Sequence, residues 1–251
     1  MRKIAFCFLV YDGIHHESIW YNLFKNIDPN RYTIYIHAKE EKQFRYFDSY
    51  RIKSIPTEYA RISIVEAQTL LLEAALQDKD NQHIIFLSQS CIPFQSFETI
   101  YRRLSIEKSY FTVANPASCF PRCNSVLQYI DKKHIQKHYQ WSILNRKHAT
   151  CLVEHRDYLK WFQTVSAPDE HCYLTALFVQ GFQEEIILAE GKHGTTFVNW
   201  DESDGSKPKS YRTISSKELE NLCTSTFLFG RKFEPTCEST LAIPFYRNHI
   251  G

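Results

Sequence analysis

The stretch "KIAFCFLVYDG", residues 3–13, decides how the whole chain is read. Behind Met1 and Arg2 it has the outline of a signal peptide, a positive start followed by apolar residues. The apolar run, Ile4 to Val10, is only seven residues long. It fits a first buried β-strand closed by Asp12-Gly13 better than a targeting segment. No stretch elsewhere approaches the roughly 20 apolar residues of a membrane span. A soluble, cytoplasmic protein without a membrane span is therefore expected.

A fully buried first strand needs helices on both faces, and the sequence supplies them. A second apolar run, "YTIYIHA" (32–38), follows a helix-length segment "ESIWYNLFKNI" (17–27). Next comes "RISIVEAQTLLLEAALQ" (61–77), a strongly apolar helix in which Ser63 and Glu66 form a capping box. "HIIFLS" (83–88) is the third strand, then a short helix "SFETIYRRL" (96–104) with Ser96 as N-cap, and "SYFTVA" (109–114) is the fourth. Strand–helix–strand order at this spacing predicts an α/β domain with a largely parallel central sheet flanked by helices.

The second half is less regular. "HYQWSILNRKHATCLVEH" (138–155) starts as a strand and passes into a helix, and "DYLKWFQT" (157–164) continues helically. "TTFVNWDES" (195–203) is a short strand running into a polar turn, "KPKSYRTIS" (207–215) a loop, and "TFLFGRKFEP" (226–235) an apolar strand ending in two cations. No repeat, linker or low-complexity block interrupts residues 1–251, which read as one domain.

Composition excludes several classes. Thirty basic against 28 acidic residues leave a net charge of +2, without the basic excess of a nucleic-acid binder. The one basic cluster, "DKKHIQKH" (131–138), reads as a solvated face. Eight cysteines show no CxxC pair, so reduced thiols are expected, with a single disulfide left open. Aromatics reach 15%, which suits a large core and equally a cleft with stacking walls.

In open α/β sheets ligands bind beyond the carboxyl ends of the strands. "FLVYDG", "YIHAK" and "FLSQSCIP" each place polar groups just past a buried run, bringing His37, Ser88 and Ser90 towards one crevice. Neither a GxGxxG nor a Walker loop is present, so a bound phosphate would depend on side-chain cations: Arg212 in "SYRTIS" and Arg231-Lys232 in "FGRKF". The only DxD, "DKD" (78–80), precedes a strand, whereas a metal site for a sugar nucleotide would need it where "SQS" (88–90) stands. No metal and no cofactor is expected.

"SAPDEHCYLTALF" (166–178) places Pro168 at a first helical position and Asp169 and Glu170 in the first turn. Alone, the two acids either complement the helix dipole or include a proton acceptor.

The order of "YIHAK", "SIVEAQTLLLEAAL", "IIFLSQSCIPFQSFETIYRRL", "YQWSILNRKHATCLVE", "PDEHCYLTAL", "FVNWDES", "YRTIS" and "LFGRKFEP" resembles the Core-2/I-branching β-1,6-N-acetylglucosaminyltransferase family over roughly residues 3–235. It is most similar to the compact bacterial and plant-type members. The resemblance implies a GT-A-like fold and an inverting, metal-independent transfer from a UDP-sugar to a hydroxyl of a glycan acceptor. By position it implies Glu170 as catalytic base, with Asp169 as the structural acid of the pair. Arg212 and Lys232 fall on the basic pair at the donor diphosphate, and Arg231 is expected to face solvent. Leu9, His37 and Ser88 join the nucleotide-sugar side, while Trp200 and Trp141 form the acceptor side. His37 stands where animal relatives carry an acid that contacts uracil, although plant-type members also have His there. N-acetylglucosamine leads among the donor sugars, which in this family include xylose and glucuronic acid. Eukaryotic members carry an N-terminal anchor and stem that this sequence is expected to lack, in keeping with a bacterial or viral origin.

Two other readings compete. A catalytically inactive glycan-binding module on the same fold would need neither a base nor cations at a diphosphate. A single-strand nucleic-acid binder using its aromatics would need more positive charge.

Overall fold

Strand β1 (Lys3–Val10) divides its side chains between two apolar layers, which is why its run is unbroken. Ile4, Phe6, Phe8 and Val10 enter one layer, and Ala5 and Cys7 the other. β2 (Tyr32–Ala38) and β3 (Asn81–Ser88) flank it in parallel, with Phe6 opposite Ile34 on one side and Ile85 on the other. β1 and β2 coincide with the apolar runs of the sequence, and β3 begins two residues before its run. This computed structural model describes residues 2–114, 121–190, 194–203, 207–237, 241, 246 and 250.

Helices cover both faces. α1 (Glu17–Phe24) and α3 (Phe97–Arg103) pack Trp20, Leu23, Phe24, Phe97 and Ile100 into the first layer. The indole of Trp20 also donates to the carbonyl of Cys91 at 3.0 Å, which ties α1 to the chain just past β3. α2 (Ile62–Gln77) and α4 (Arg146–Glu154) fill the second layer with Val65, Leu71, Leu72, Ala149 and Leu152. Ser96 caps α3 as expected, accepting from Thr99 N, and Asn145 caps α4 by accepting from His148 N.

The sheet continues through β6 (Ile143–Asn145), β5 (Ser109–Val113) and β7 (Ile186–Glu190), giving the order β2-β1-β3-β6-β5-β7. Only β6 runs antiparallel to its neighbours, so the sheet is mostly parallel. A second, three-stranded sheet orders β4 (Ile92–Pro93), β9 (Phe229–Arg231) and β8 (Thr196–Val198) as β4-β9-β8. Gly230 is required there, because a Cβ on it would lie 2.1 Å from the ring of buried Phe94. The short strand β4, the half-exposed β7 and helix α6 (Ser216–Cys223) have no counterpart in the sequence reading.

Several local expectations are corrected. Ser63 does not cap α2; its N-cap is Arg61 without a side-chain bond, and the Ser63 hydroxyl accepts instead from Glu58 N at 2.9 Å. The strand expected from His138 begins only at Ile143. "DKD" is a fold staple: Asp78 accepts from Lys3 Nζ at 2.8 Å and from Asp80 N at 2.9 Å. Cys7, Cys91, Cys151, Cys172 and Cys223 are free thiols, and Cys119 lies outside the described residues. Among the described residues no helix is long and apolar enough to cross a membrane.

Candidate active site

The carboxyl ends of β1 and β3 and the end of β9 converge on a cleft of about 570 Å³. Leu9 and Tyr11 leave β1, Ser88 and Ser90 leave β3, and Arg231 and Lys232 leave β9 to line it. A parallel sheet makes such a cleft because its helices depart from the strand ends and leave the loops free to diverge. Backbone bonds fix the mouth: His15 N donates to Gln89 O at 2.9 Å, and Phe233 N to Ser90 O at 2.9 Å. Gln89 secures the same corner with its amide, accepting from Tyr11 N at 2.7 Å and donating to His15 Nε2. The His15 Nδ1–H in turn faces the carbonyl of Phe233 at 3.1 Å.

Lys232 reaches the cleft because its carbonyl accepts from Tyr211 N at 2.8 Å while the next residue is tied to Ser90. Arg231 does not face solvent as expected. It shares a strand face with buried Phe229, two residues earlier, so the period of two turns it inward. Its guanidinium lies over Trp141, 4.7 Å from the ring centroid. Arg212 does not line this cleft. It is exposed, because buried Tyr211 turns its own ring inward and the next side chain of the extended segment points away.

His37 is also displaced from its expected place. It is wholly buried behind the cleft wall, where Nε2 accepts from Ile55 N at 3.0 Å and Nδ1 has no partner. Burial lowers its pKa, which keeps the ring neutral. Its effect on the cleft is indirect: it pins the segment that continues into Thr57, Glu58 and Tyr59 on the rim. Ser88 is buried and lines the cleft, its hydroxyl 3.2 Å from that of Ser90 and 3.1 Å from Cys91 Sγ.

The acid pair sits in a 3-10 turn, Pro168–Glu170, that ends before α5 (Cys172–Val179) begins. His171, between them, has the backbone angles of neither element, so the acids are outside the first turn of α5. The turn is held by its surroundings. Ala167 has φ +53°, and its N–H donates at 3.1 Å to the carbonyl of Ala60, which has φ +56°. Glu170 accepts at its own carbonyl from His138 N at 2.8 Å.

The two acids meet opposite environments. The Glu170 carboxylate is one-third exposed (34%) and lies 3.5 Å from Arg122 Nη1. Asp169 is pushed up to about 6, first by burial and then by the charge of Glu170, and its Oδ1 has no partner. Tyr139, beside Glu170, has its phenol raised by burial and by that carboxylate's charge. Trp200 lies next to Tyr139 with ring centroids 6.3 Å apart and is 41% exposed. Trp141, by contrast, is buried and lines the cleft. The segment Tyr139–Trp141 therefore joins the acid turn to the cleft. Arg122 and Tyr139 were missed in the sequence; Arg231, a candidate cation there, was expected to face solvent, although its spacing from Phe229 signals the inward direction.

A crevice beyond parallel strand ends, with cations on one wall, is where an α/β protein binds its ligand. Residues 4–223 match the Core-2/I-Branching enzyme family. The chain is a glycosyltransferase of the Core-2/I-branching family. It is 24% identical over 297 residues to "Glycosyltransferase BC10" of Oryza sativa subsp. japonica, across 92% of this chain and 73% of that protein. Among solved structures it is similar to an active-site mutant of LgtC at a TM-score of 0.47 and 7% identity, covering 90% of this chain and 86% of that one. A second structure, the galactosyltransferase LgtC with donor and acceptor sugar analogues, gives 0.44 and 8%, covering 76% and 75%.

Proposed function

We propose that this protein is an inverting, metal-independent transferase on a GT-A-like fold, moving a sugar from a UDP-sugar to a hydroxyl of a glycan acceptor. N-acetylglucosamine is the first donor sugar to test. One observation supports this reading: the one-third exposed Glu170 neighbours Tyr139, and the next two residues, Gln140 and Trp141, line the cleft together with Arg231 and Lys232.

An acceptor hydroxyl is a poor nucleophile near neutral pH, so a positioned base accelerates its attack. In the proposed step the acceptor oxygen bonds to the anomeric carbon as its proton passes to Glu170. The bond from that carbon to the β-phosphate oxygen breaks, and its electron pair stays on the departing diphosphate. Fixed cations at Lys232 and its neighbour stabilise the charge that develops there. Leu9 and Ser88 form the donor wall, while Trp141 and Trp200 face the acceptor. Metal independence rests on the chemistry of the strand end, where "SQS" offers hydroxyls and an amide, poor ligands for Mg²⁺ or Mn²⁺ without a carboxylate.

The experiment is a UDP-sugar panel scored by thermal shift and then by UDP release with a glycan acceptor, in excess EDTA and again with Mn²⁺. A ligand that binds only the folded state raises apparent stability. The reading expects a shift with at least one UDP-sugar and EDTA-resistant turnover. Turnover that only Mn²⁺ restores would remove the metal-independent mechanism. Binding of free glycan without UDP release from any donor would point to the glycan-binding module instead.

A further inference from the structure

Trp200 is exposed, yet the turn that carries it is held from beneath by a chain of side-chain hydrogen bonds. Asn199, the residue before it, donates from Nδ2 to the Tyr211 hydroxyl at 2.9 Å and to Glu202 Oε1 at 3.2 Å. Its Oδ1 accepts from Glu202 N at 3.2 Å, and its carbonyl accepts from Lys209 N at 2.9 Å. Both amide hydrogens and the amide oxygen of Asn199 are thereby used, which fixes how the chain enters Trp200. The hydrogen-bond chain ends on α6, where the Tyr211 hydroxyl donates to Glu218 Oε1 at 2.8 Å. Ser215 and Glu218 have the spacing of a capping box, and Ser215 Oγ accepts from Glu218 N at 3.2 Å. The carboxylate, which in that motif turns back to the cap residue, reaches Tyr211 instead. Tyr211 is buried with its ring stacked on Phe233, centroids 5.0 Å apart, and burial raises its phenol, so the hydroxyl keeps the proton it donates. Its N–H also donates to the carbonyl of Lys232 at 2.8 Å, and its carbonyl accepts from Glu234 N at 2.9 Å. One residue thus ties the Trp200 turn to the segment that follows β9.

We propose that Tyr211, held by Glu218, is a positioning residue that sets Trp200 in place at the acceptor side before any acceptor arrives. This goes beyond the proposed function and rests on its reading of Trp200. An indole on a loose turn would have to be ordered each time a sugar binds, whereas a turn already fixed loses less freedom. Neither Tyr211 nor Glu218 lines the cleft, and both act through Asn199. The bond to a carboxylate at the far end is stronger than one between neutral groups, so the chain is anchored where it meets the helix.

The test compares Tyr211→Phe, Glu218→Ala, Glu218→Gln and Trp200→Ala with wild type, with thermal melts to establish folding. Hydrogen exchange of residues 199–203 is followed in the free proteins. Acceptor KM and kcat are measured with UDP-N-acetylglucosamine and p-nitrophenyl glycosides of galactose, N-acetylgalactosamine and xylose. Tyr211→Phe removes one oxygen and keeps the stack on Phe233, and Glu218→Ala gives the same reading from the helix side if the Phe variant fails to fold. Both should speed exchange at 199–203 by about threefold to tenfold, the scale of one hydrogen bond, and leave the rest of the protein within about twofold. Acceptor KM should rise by about threefold to tenfold, with kcat and UDP affinity within about twofold of wild type. Glu218→Gln keeps an oxygen for the Tyr211 hydroxyl and should fall between Glu218→Ala and wild type. Unchanged exchange at 199–203 in folded Tyr211→Phe would overturn the proposal. So would KM, kcat and UDP affinity moving together, which marks a merely structural role. If Trp200→Ala raises acceptor KM and Tyr211→Phe does not, the positioning proposal falls and the reading of Trp200 stands. If Trp200→Ala leaves acceptor KM unchanged, the reading of Trp200 falls and takes the proposal with it. Should wild type turn over none of these glycosides, faster exchange confined to 199–203 sustains the positioning role and unchanged exchange ends it.

Discussion

The cleft and the acid turn lie side by side but are built differently. The cleft stands on strand ends, with its mouth closed by backbone bonds from His15 to Gln89 and from Phe233 to Ser90. The acid turn is three residues of 3-10 helix, held by the link between two left-handed alanines and by the bond from His138 to Glu170. Strand ends are well suited to fixing charges, since a cation there is positioned by a sheet and needs no rearrangement when charge develops. A turn held by its neighbours can present the carboxylate proposed as the proton acceptor. The same contrast divides Asp169 from Glu170: adjacent in sequence, one has a carboxylate oxygen sealed from solvent without a partner and the other is one-third open to solvent.

If the two regions divide the work in this way, Glu170→Gln should abolish transfer while UDP affinity stays near wild type. The expected loss in kcat is about 10²–10⁴-fold or more, measured by UDP release with saturating donor. A near wild-type rate would dissolve the distinction. Lys232→Ala should do the reverse, weakening UDP by about tenfold by calorimetry, the size of one lost charge-assisted contact.

Asp169 sharpens the contrast through pH. Its carboxyl is raised from 3.8 to about 6 in the folded protein, so between those values the native state holds more protons than the unfolded chain. Its contribution therefore falls as pH rises through that window. Asp169→Asn should gain stability relative to wild type between pH 4 and 6, by about 1–3 kcal/mol once above it, in urea unfolding at pH 4.5 and 7. The buried histidines act oppositely. His138 at about 3 and His171 at about 4, both lowered first by burial, cost stability as pH falls below their unfolded values. They are common to both proteins, so the difference isolates Asp169.

The smallest effect concerns the link between the alanines. Ala167→Gly relieves a left-handed conformation that costs an L-residue about 1 kcal/mol, partly offset by the freer unfolded chain. A gain of up to about 1 kcal/mol is expected, with lower kcat if the strain helps to hold Glu170. Unchanged stability and unchanged kcat would show that the left-handed turn is incidental to the acid's position.

Much of the fold could be read in residues near one another along the chain. β1 and β2 match their expected runs residue for residue, and β1 is continuously apolar because it is buried on both faces. Ser96 caps α3 through a contact three residues away. Ser63 misled because Glu58 N lies within reach of its hydroxyl, a competition set by the loop ahead of α2. β7 was missed because it is an edge strand with Ile187 and Leu188 half exposed, so its pattern resembles no buried run.

The sequence by itself determined an α/β chain with a mostly parallel sheet, the polar strand ends at Ser88 and Ser90, and the family to which "PDEH" and "RKF" pointed. Only the tertiary structure decided which side chains share a space. It turned Arg231 inward onto Trp141, left Arg212 outside, set His37 behind the wall, and brought Tyr139 between Glu170 and Trp200. The physical reason is range. Strand and helix patterns follow from periods of two and 3.6 residues, which neighbouring side chains enforce. A cleft is made by groups more than a hundred residues apart, from Leu9 to Lys232, whose meeting is fixed by packing across two sheets.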